Sequence, residues 1–271
     1  MRDKNRTSFD LVLFLHGGPG LNAGIERAWF QRRLPIHWWD QPVVLPGSTD
    51  PLGQLVAASQ NQVRRMADAA GGPVSLVAHS FGAQIAIALA REIPSLIQCI
   101  TLLGCAPTPF QPIFRLCRKL LKTQASPTLE ASLANAEADL NSHHFKAMVL
   151  AAATHPAYLP VHFGSDSNTV RDLFMAPFAS GRLMNLETFL TVMNDLLGTP
   201  QQAQNQAQNE RFDGEVRLVL GCQDPLLDRD EDIAAWRRVF PQLQHQVVDC
   251  GHFVHLELGP EVWWPGAVLS G

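Results

Sequence analysis

The sequence changes from a strand pattern to a helix pattern within residues 74–93, and a serine lies at the change. Residues 74–78 are an apolar run that predicts a buried strand, and residues 82–93 predict the helix that follows it. Ser80 lies between them, flanked by the small residues Ala78 and Gly82 that so sharp a turn requires. The helix N-terminus directs free N–H groups towards any negative charge that forms beside the serine. This pattern predicts that Ser80 is a nucleophile held on a strained turn.

Short apolar strands alternate with amphipathic helices over most of the chain. The predicted strands are residues 9–15, 36–39, 74–78, 97–103, 215–220 and 244–248. The predicted helices are residues 52–70, 82–93, 230–240 and a short one near 260–264. Alternation of this kind predicts an α/β fold, with a mostly parallel central sheet and helices on both faces.

Residues 107–199 interrupt this alternation. No strand is predicted there, and the segment has the pattern of several helices broken by prolines. A glutamine-rich stretch at 201–208 has no apolar periodicity and predicts a flexible return linker. We therefore expect a core made of residues 1–106 and 211–271, with a helical insertion at 107–210.

Chemically useful side chains follow three other predicted strands. In a parallel sheet, ligands bind at the carboxyl ends of the strands. A glycine-rich loop at 16–20 follows the first strand, Asp224 follows strand 215–220, and His252 follows strand 244–248. A serine hydroxyl needs an imidazole as its general base and a carboxylate to orient that imidazole. The chain order of serine, aspartate and histidine therefore predicts a catalytic triad of Ser80, Asp224 and His252.

Two alternatives to these triad residues remain open in the sequence. Asp228 comes one helical turn after Asp224, and His255 comes three residues after His252. Gly251 favours His252, because a glycine permits the tight loop that this histidine needs. The remaining histidines suggest no metal site, since no metal-ligand spacing accompanies His143, His144, His155 or His162. We expect no metal and no cofactor.

The four motifs together resemble the α/β-hydrolase superfamily over nearly the whole chain. The matching segments are 16–20 as the oxyanion loop, 78–82 as the serine elbow, 223–225 as the acid loop and 251–253 as the histidine loop. The resemblance implies an oxyanion hole formed by the backbone N–H groups of Gly18 and Phe81. It also implies that residues 107–210 form a helical cap, and that the usual N-terminal strands are missing or reduced.

Substrate class is indicated by the same motifs. The loop His-Gly-Gly-Pro-Gly is similar to that of proline iminopeptidases, whereas the elbow Ala-His-Ser-Phe-Gly resembles those of esterases, thioesterases and lactonases. We predict a serine hydrolase that cleaves an ester, thioester or lactone bond through an acyl-enzyme. The alternatives are a proline iminopeptidase-like aminopeptidase, a lyase or cyclisation enzyme that uses the same triad, and a non-catalytic ligand-binding protein.

The predicted cap is rich in phenylalanine and methionine, which predicts an apolar pocket for a medium-sized acyl substrate. The residues predicted to line it are Phe145, Met148, Phe174, Met175 and Phe178.

Composition restricts the partners and the compartment. The net charge of −4 and pI of about 6.2 exclude the basic footprint of a nucleic-acid-binding protein. The apolar run at 11–15 is too short for a signal sequence or a membrane span, so we expect a cytoplasmic protein without membrane contact. The five cysteines form no close pair and are expected to be reduced. Trp263 and Trp264 near the chain end suggest a homodimer.

Overall fold

Six parallel strands form one sheet at the centre of the computed structural model, which describes residues 12–30, 33–181, 184–198 and 212–265. The strands are β1 Val12–Leu15, β2 Ile36–Trp39, β3 Val74–His79, β4 Ile97–Leu103, β5 Glu215–Gly221 and β6 Gln244–Val248. Their order across the sheet is β2-β1-β3-β4-β5-β6. This confirms the predicted α/β fold, although residues 9–11 of the first predicted strand lie outside the described residues.

Eleven α-helices surround the sheet in the part of the chain that the structure describes. They are α1 Gly24–Phe30, α2 Pro51–Ala70, α3 Gly82–Glu92, α4 Gln111–Thr123, α5 Pro127–Ala138, α6 Ser142–Ala153, α7 Asn168–Ala179, α8 Leu186–Gly198, α9 Arg229–Val239, α10 Val254–Glu257 and α11 Pro260–Trp263. Two short 3-10 helices lie at Pro94–Leu96 and Pro160–His162. The sequence did not predict α1 and α10, because elements this short hold too few turns to show an apolar periodicity.

Local signals at both ends explain the limits of α2. The Asp50 side chain accepts a hydrogen bond from the N–H of Gly53, and Pro51 occupies the first helical position, where it loses no helical hydrogen bond. Gly71 ends the helix in the left-handed conformation, at φ 71°. These residues fix the helix that packs against α3 and α8.

The two faces of the sheet are covered by different helices. Leu13, Leu15 and Leu76 belong to the core on one face, where α2, α3 and α9 pack. Val12 and Phe14 alternate with them and belong to the core on the other face, where α1, α10 and α11 pack. This alternation along a strand is what buries both faces of a parallel sheet and confirms helices on both sides.

The chain between β4 and β5 forms α4 to α8, which we call the insert, with no strand among its described residues. Its first helix is bound to the core by Arg115, which pairs with Asp232 of α9 at 2.7 Å and with Glu231 at 2.8 Å. The predicted glutamine-rich linker at 201–208 lies outside the described residues.

The two tryptophans near the chain end, Trp263 and Trp264, differ in how deeply they are buried. Trp263 is fully buried and its ring contacts Phe30 and His255, so it is not available to a second copy of the chain. Trp264 is half-buried. No helix among the described residues combines the length and apolarity needed to cross a bilayer.

The start of α3 gives a test of the fold. A Cβ at Gly82 would lie 2.2 Å from the carbonyl oxygen of Leu15, so α3 could no longer pack this closely against β1. Gly82→Ala should lower the free energy of unfolding, measured in urea, by at least about 2 kcal/mol. Gly72→Ala is the matched control, since nothing lies within 4 Å of a Cβ there. Equal loss in both variants would contradict the packing argument.

Candidate active site

Ser80 lies on a strained turn between β3 and α3. Its φ of 51° is in the left-handed region, which costs a residue with a side chain about 1–3 kcal/mol. Its backbone N–H donates to the carbonyl of Leu103 in β4 at 3.0 Å, and Gly82 lies against the backbone of β1. The sheet therefore fixes the turn on both sides, and the serine side chain lines a cavity at the carboxyl edge of the strands.

The loop after β1 lies directly against this turn. A Cβ at Gly17 would lie 3.0 Å from the Cβ of Ser80, and Gly18 has a φ of 55°. His16 holds the loop, since its Nε2 accepts the N–H of Gln41 at 3.0 Å and its carbonyl accepts the Gln41 side-chain amide at 2.9 Å. Burial lowers the pKa of His16, which keeps Nε2 free to accept a hydrogen bond.

Asp224 and His252 form a buried pair beside the turn. Nδ1 of His252 lies 2.8 Å from Oδ2 of Asp224, and the two side chains are 5% and 0% exposed. The other carboxylate oxygen, Oδ1, accepts the N–H of Leu226 at 2.9 Å. Gly104 lies against both, since a Cβ there would be 2.5 Å from the carbonyl oxygen of His252. The carboxylate is thus held in one orientation towards the imidazole.

The two alternative residues from the sequence have other partners. Asp228 caps α9, where its side chain accepts the N–H of Glu231 at 3.1 Å. His255 is fully buried, and its Nε2 lies 3.1 Å from Oε1 of Glu26. Neither arrangement brings these side chains into the cavity lining.

His79, the residue before the serine, supports the loop that carries His252. Its Nε2 donates to the backbone carbonyl of His252 at 3.1 Å, and its ring centroid lies 4.7 Å from those of both His252 and His255. Burial, followed by repulsion from His255 and His252, holds the pKa of His79 well below its usual value. A neutral ring therefore lies beneath the histidine loop.

Glu257 links the loop that carries His252 to the insert through hydrogen bonds. The sequence did not predict this role for Glu257. Its Oε2 accepts the N–H groups of Gly164, in the insert, at 2.7 Å and of Gly251 at 3.0 Å. The N–H of His252 donates to the carbonyl of His162, also in the insert, at 2.6 Å. The one signal for this contact in the sequence is an acid within the apolar residues that follow His252.

A cavity separates the sheet edge from the insert. Ser80, His252 and Gly18 line it, together with side chains that are mostly apolar. No Asp, Glu, Lys or Arg contributes to the wall among the described residues. A cavity of this kind binds uncharged, apolar groups next to a small number of polar ones.

The residues predicted to line the pocket divide into two sets. Phe174 and Phe178 of α7 line the cavity, as expected. Phe145 and Met148 do not, because α6 buries them in the core. Met175 is 46% exposed, on the outer face of α7. Those three are corrections to the sequence prediction. The lining residues that it missed in the insert include Tyr158, Leu159, His162, Phe189 and Met193.

The family of the chain follows from its sequence over this whole region. A family model described as the alpha/beta hydrolase family matches residues 12–262. The protein therefore belongs to the alpha/beta hydrolase family and is a hydrolase. No curated protein matches the chain.

Solved structures with the same fold include three hydrolase-related proteins. A proline iminopeptidase-related protein from Thermus thermophilus is 18% identical with a TM-score of 0.58, covering 92% of this chain and 84% of that one. A thermophilic esterase from Thermogutta terrifontis is 16% identical with a TM-score of 0.55, covering 91% and 84%. A serine hydrolase from the polyaromatic hydrocarbon-degrading bacterium Cycloclasticus zankles is 17% identical with a TM-score of 0.55, covering 91% and 84%. At these identities the likeness shows the fold.

Acid should destabilise the fold through the histidines buried at this site. Burial, followed by repulsion from His252, lowers the pKa of His162 to about 4, below the 6.5 of an unfolded chain. Between these values the unfolded chain binds more protons, so the free energy of unfolding falls as pH falls and is intact above 6.5. His162 contributes about 3 kcal/mol to this loss.

Urea unfolding at several pH values measures this contribution. His162→Phe should lose less stability than the wild type between pH 6.5 and 4. His245→Phe, at an exposed position of β6, should follow the wild-type curve. Identical pH dependence in the wild type and His162→Phe would contradict the assignment.

Proposed function

We propose that the protein is a serine hydrolase that cleaves an ester, thioester or lactone bond of a medium-sized, largely apolar acyl substrate. One observation carries the proposal. Ser80 stands on a left-handed turn in the wall of an apolar cavity, and His252, in the same wall, is hydrogen-bonded at 2.8 Å to the buried Asp224. A hydroxyl, an imidazole and a carboxylate in this relation are the parts of an acyl-transfer nucleophile.

In the first half of the proposed reaction, Oγ of Ser80 attacks the substrate carbonyl carbon while Nε2 of His252 accepts the hydroxyl proton. Asp224 holds Nδ1–H and stabilises the imidazolium that forms. The N–H groups of Gly18 and Phe81 receive the oxyanion, and such donors contribute about 3–4 kcal/mol each in measured cases. The imidazolium then gives its proton to the leaving alcohol or thiol.

In the second half, water replaces the leaving group. His252 takes a proton from the water as it attacks the acyl carbon, and the tetrahedral intermediate collapses to release the acid. The proton returns to Oγ of Ser80. No net charge enters the cavity over the cycle, which suits its uncharged wall.

The cavity wall also bears on the aminopeptidase alternative. A substrate with an N-terminal ammonium group requires carboxylates that face the nucleophile. Glu130, Glu137 and Glu187 of the insert do not line the cavity. This favours an acyl substrate without a charge near the scissile bond, in keeping with an esterase such as the one from Thermogutta terrifontis rather than with an iminopeptidase.

Covalent labelling tests the nucleophile. A fluorophosphonate should label the wild type at Ser80 and should not label Ser80→Ala, and hydrolysis of p-nitrophenyl octanoate should fall about 10,000-fold or more in that variant. Ser48→Ala, in the loop before α2, is the control and should keep both properties. A wild type that the fluorophosphonate does not label would contradict the proposed nucleophile. Turnover confined to esters of short, charged acids would contradict the proposed apolar acyl substrate.

Two asparagine variants test which aspartate orients the imidazole of His252. Asp224→Asn keeps the shape of the side chain but favours the wrong imidazole tautomer, so kcat should fall about 10,000-fold. Asp228→Asn keeps an N-cap that is as good as aspartate and should leave kcat within about twofold. Steady-state kinetics on p-nitrophenyl octanoate distinguish the two. The reverse result would identify Asp228 as the acid.

A further inference from the structure

A second imidazole lies in the cavity wall beside the proposed base. His162 ends the short 3-10 helix of the insert and is 8% exposed. Its ring lines the cavity, with its centroid 5.7 Å from that of His252 and the planes at 67°. The proposed reaction cycle gives this side chain no task, since only its backbone carbonyl holds the histidine loop.

The hydrogen bonds of His162 determine where its proton lies. Nδ1 is 2.7 Å from the backbone carbonyl oxygen of Tyr158. A carbonyl can only accept, so Nδ1 carries the hydrogen and Nε2 of the neutral ring carries a lone pair. The pKa of about 4, lowered mainly by burial, keeps the ring neutral at physiological pH.

That lone pair has no partner among the described residues. Rings on two sides limit the movement of the imidazole, with Tyr158 at 5.2 Å and Phe253 at 6.3 Å between centroids. A fixed acceptor in an apolar wall costs free energy unless a donor reaches it. Nε2 is not among the fully buried unpaired atoms of the described residues, so water in the cavity can reach it. A substrate that displaces this water leaves the acceptor unpaired unless the substrate brings an O–H or N–H group of its own.

The position of His162 indicates which part of the substrate carries that donor. His252 delivers its proton to the leaving group, so the leaving group must lie beside His252. The proposed oxyanion donors, Gly18 and Phe81, belong to the loop after β1 and to the start of α3. His162 is next to the ring of His252, on the side of the cavity formed by the insert.

We propose that Nε2 of His162 accepts a hydrogen bond from a hydroxyl or amide N–H in the leaving group of the substrate. The substrate class is then esters or thioesters whose alcohol or thiol part carries a further donor a few bonds from the scissile oxygen or sulfur. This rests on the proposed function, because it assumes that His252 protonates the leaving group.

Matched pairs of esters test this preference. The leaving-group pairs are 2-hydroxyethyl with 2-methoxyethyl octanoate and 3-hydroxypropyl with 3-methoxypropyl octanoate, and the acyl-side pair is ethyl 3-hydroxyoctanoate with ethyl 3-methoxyoctanoate. Release of the acid gives kcat/KM for each. The wild type should favour the hydroxyl member of at least one leaving-group pair about tenfold.

Variants assign the preference to the side chain. His162→Phe keeps a ring but removes the acceptor, and should lower the leaving-group preference to below twofold while leaving the acyl-side ratio as it is. His162→Gln restores an oxygen acceptor and should recover part of the preference. The matched control is Tyr158→Phe, which removes the neighbouring hydroxyl and should keep the preference. Because each result is a ratio of two substrates, a partial loss of active enzyme cancels.

The other possible results would overturn either this inference or the proposed function on which it rests. Ratios within twofold for both leaving-group pairs in a fluorophosphonate-reactive wild type would overturn the inference and leave the proposed function intact. A preference that survives in His162→Phe, or is lost in Tyr158→Phe, would also overturn it. Should His162→Phe fail to fold, His162→Met removes the acceptor at similar volume. A wild type that neither reacts nor hydrolyses any ester would instead refute the proposed function.

Discussion

The close approach of α3 to β1 is the constraint on which the site depends. A Cβ at Gly82 would lie 2.2 Å from the carbonyl oxygen of Leu15 and 2.9 Å from that of His16, so a glycine is needed for α3 to lie this close to β1. Ser80, in the turn between β3 and α3, has a left-handed φ of 51°. The loop after β1 also lies against the serine, since a Cβ at Gly17 would be 3.0 Å from the Cβ of Ser80. Packing of the core thus offsets the strain of the turn.

The insert is part of the site as well as its cover. Its residues His162 and Gly164 hold the backbone of the histidine loop, through the N–H of His252 and through Glu257. His79 supports that loop from the sheet side. The imidazole of His252 is therefore positioned by three separate parts of the chain, and movement of the insert would change both the cavity and the orientation of this imidazole.

Periodicity and chain order predicted the sheet and the residues at its carboxyl edge, because a parallel sheet brings the ends of its strands together wherever they occur in the sequence. The cavity wall was harder to predict. Phe145 and Phe174 both lie on helices rich in apolar residues, and the sequence does not say which of these residues face the core and which face the cavity. Contacts such as Glu257 with Gly164 depend on tertiary packing, and their one local signal is an acid among apolar residues.

Burial disfavours a positive charge on three of the histidine rings around the site. Burial lowers the pKa of His16, His79 and His162, so each of these neighbours of the site resists protonation. Nδ1 of His252 lies 2.8 Å from the carboxylate of Asp224. In the proposed reaction, Asp224 stabilises the imidazolium of His252, whereas burial disfavours transfer of that proton to the neighbouring rings. Under that proposal, the rings of His79 and His162 leave the proton beside the leaving group, since burial disfavours its transfer to either of them.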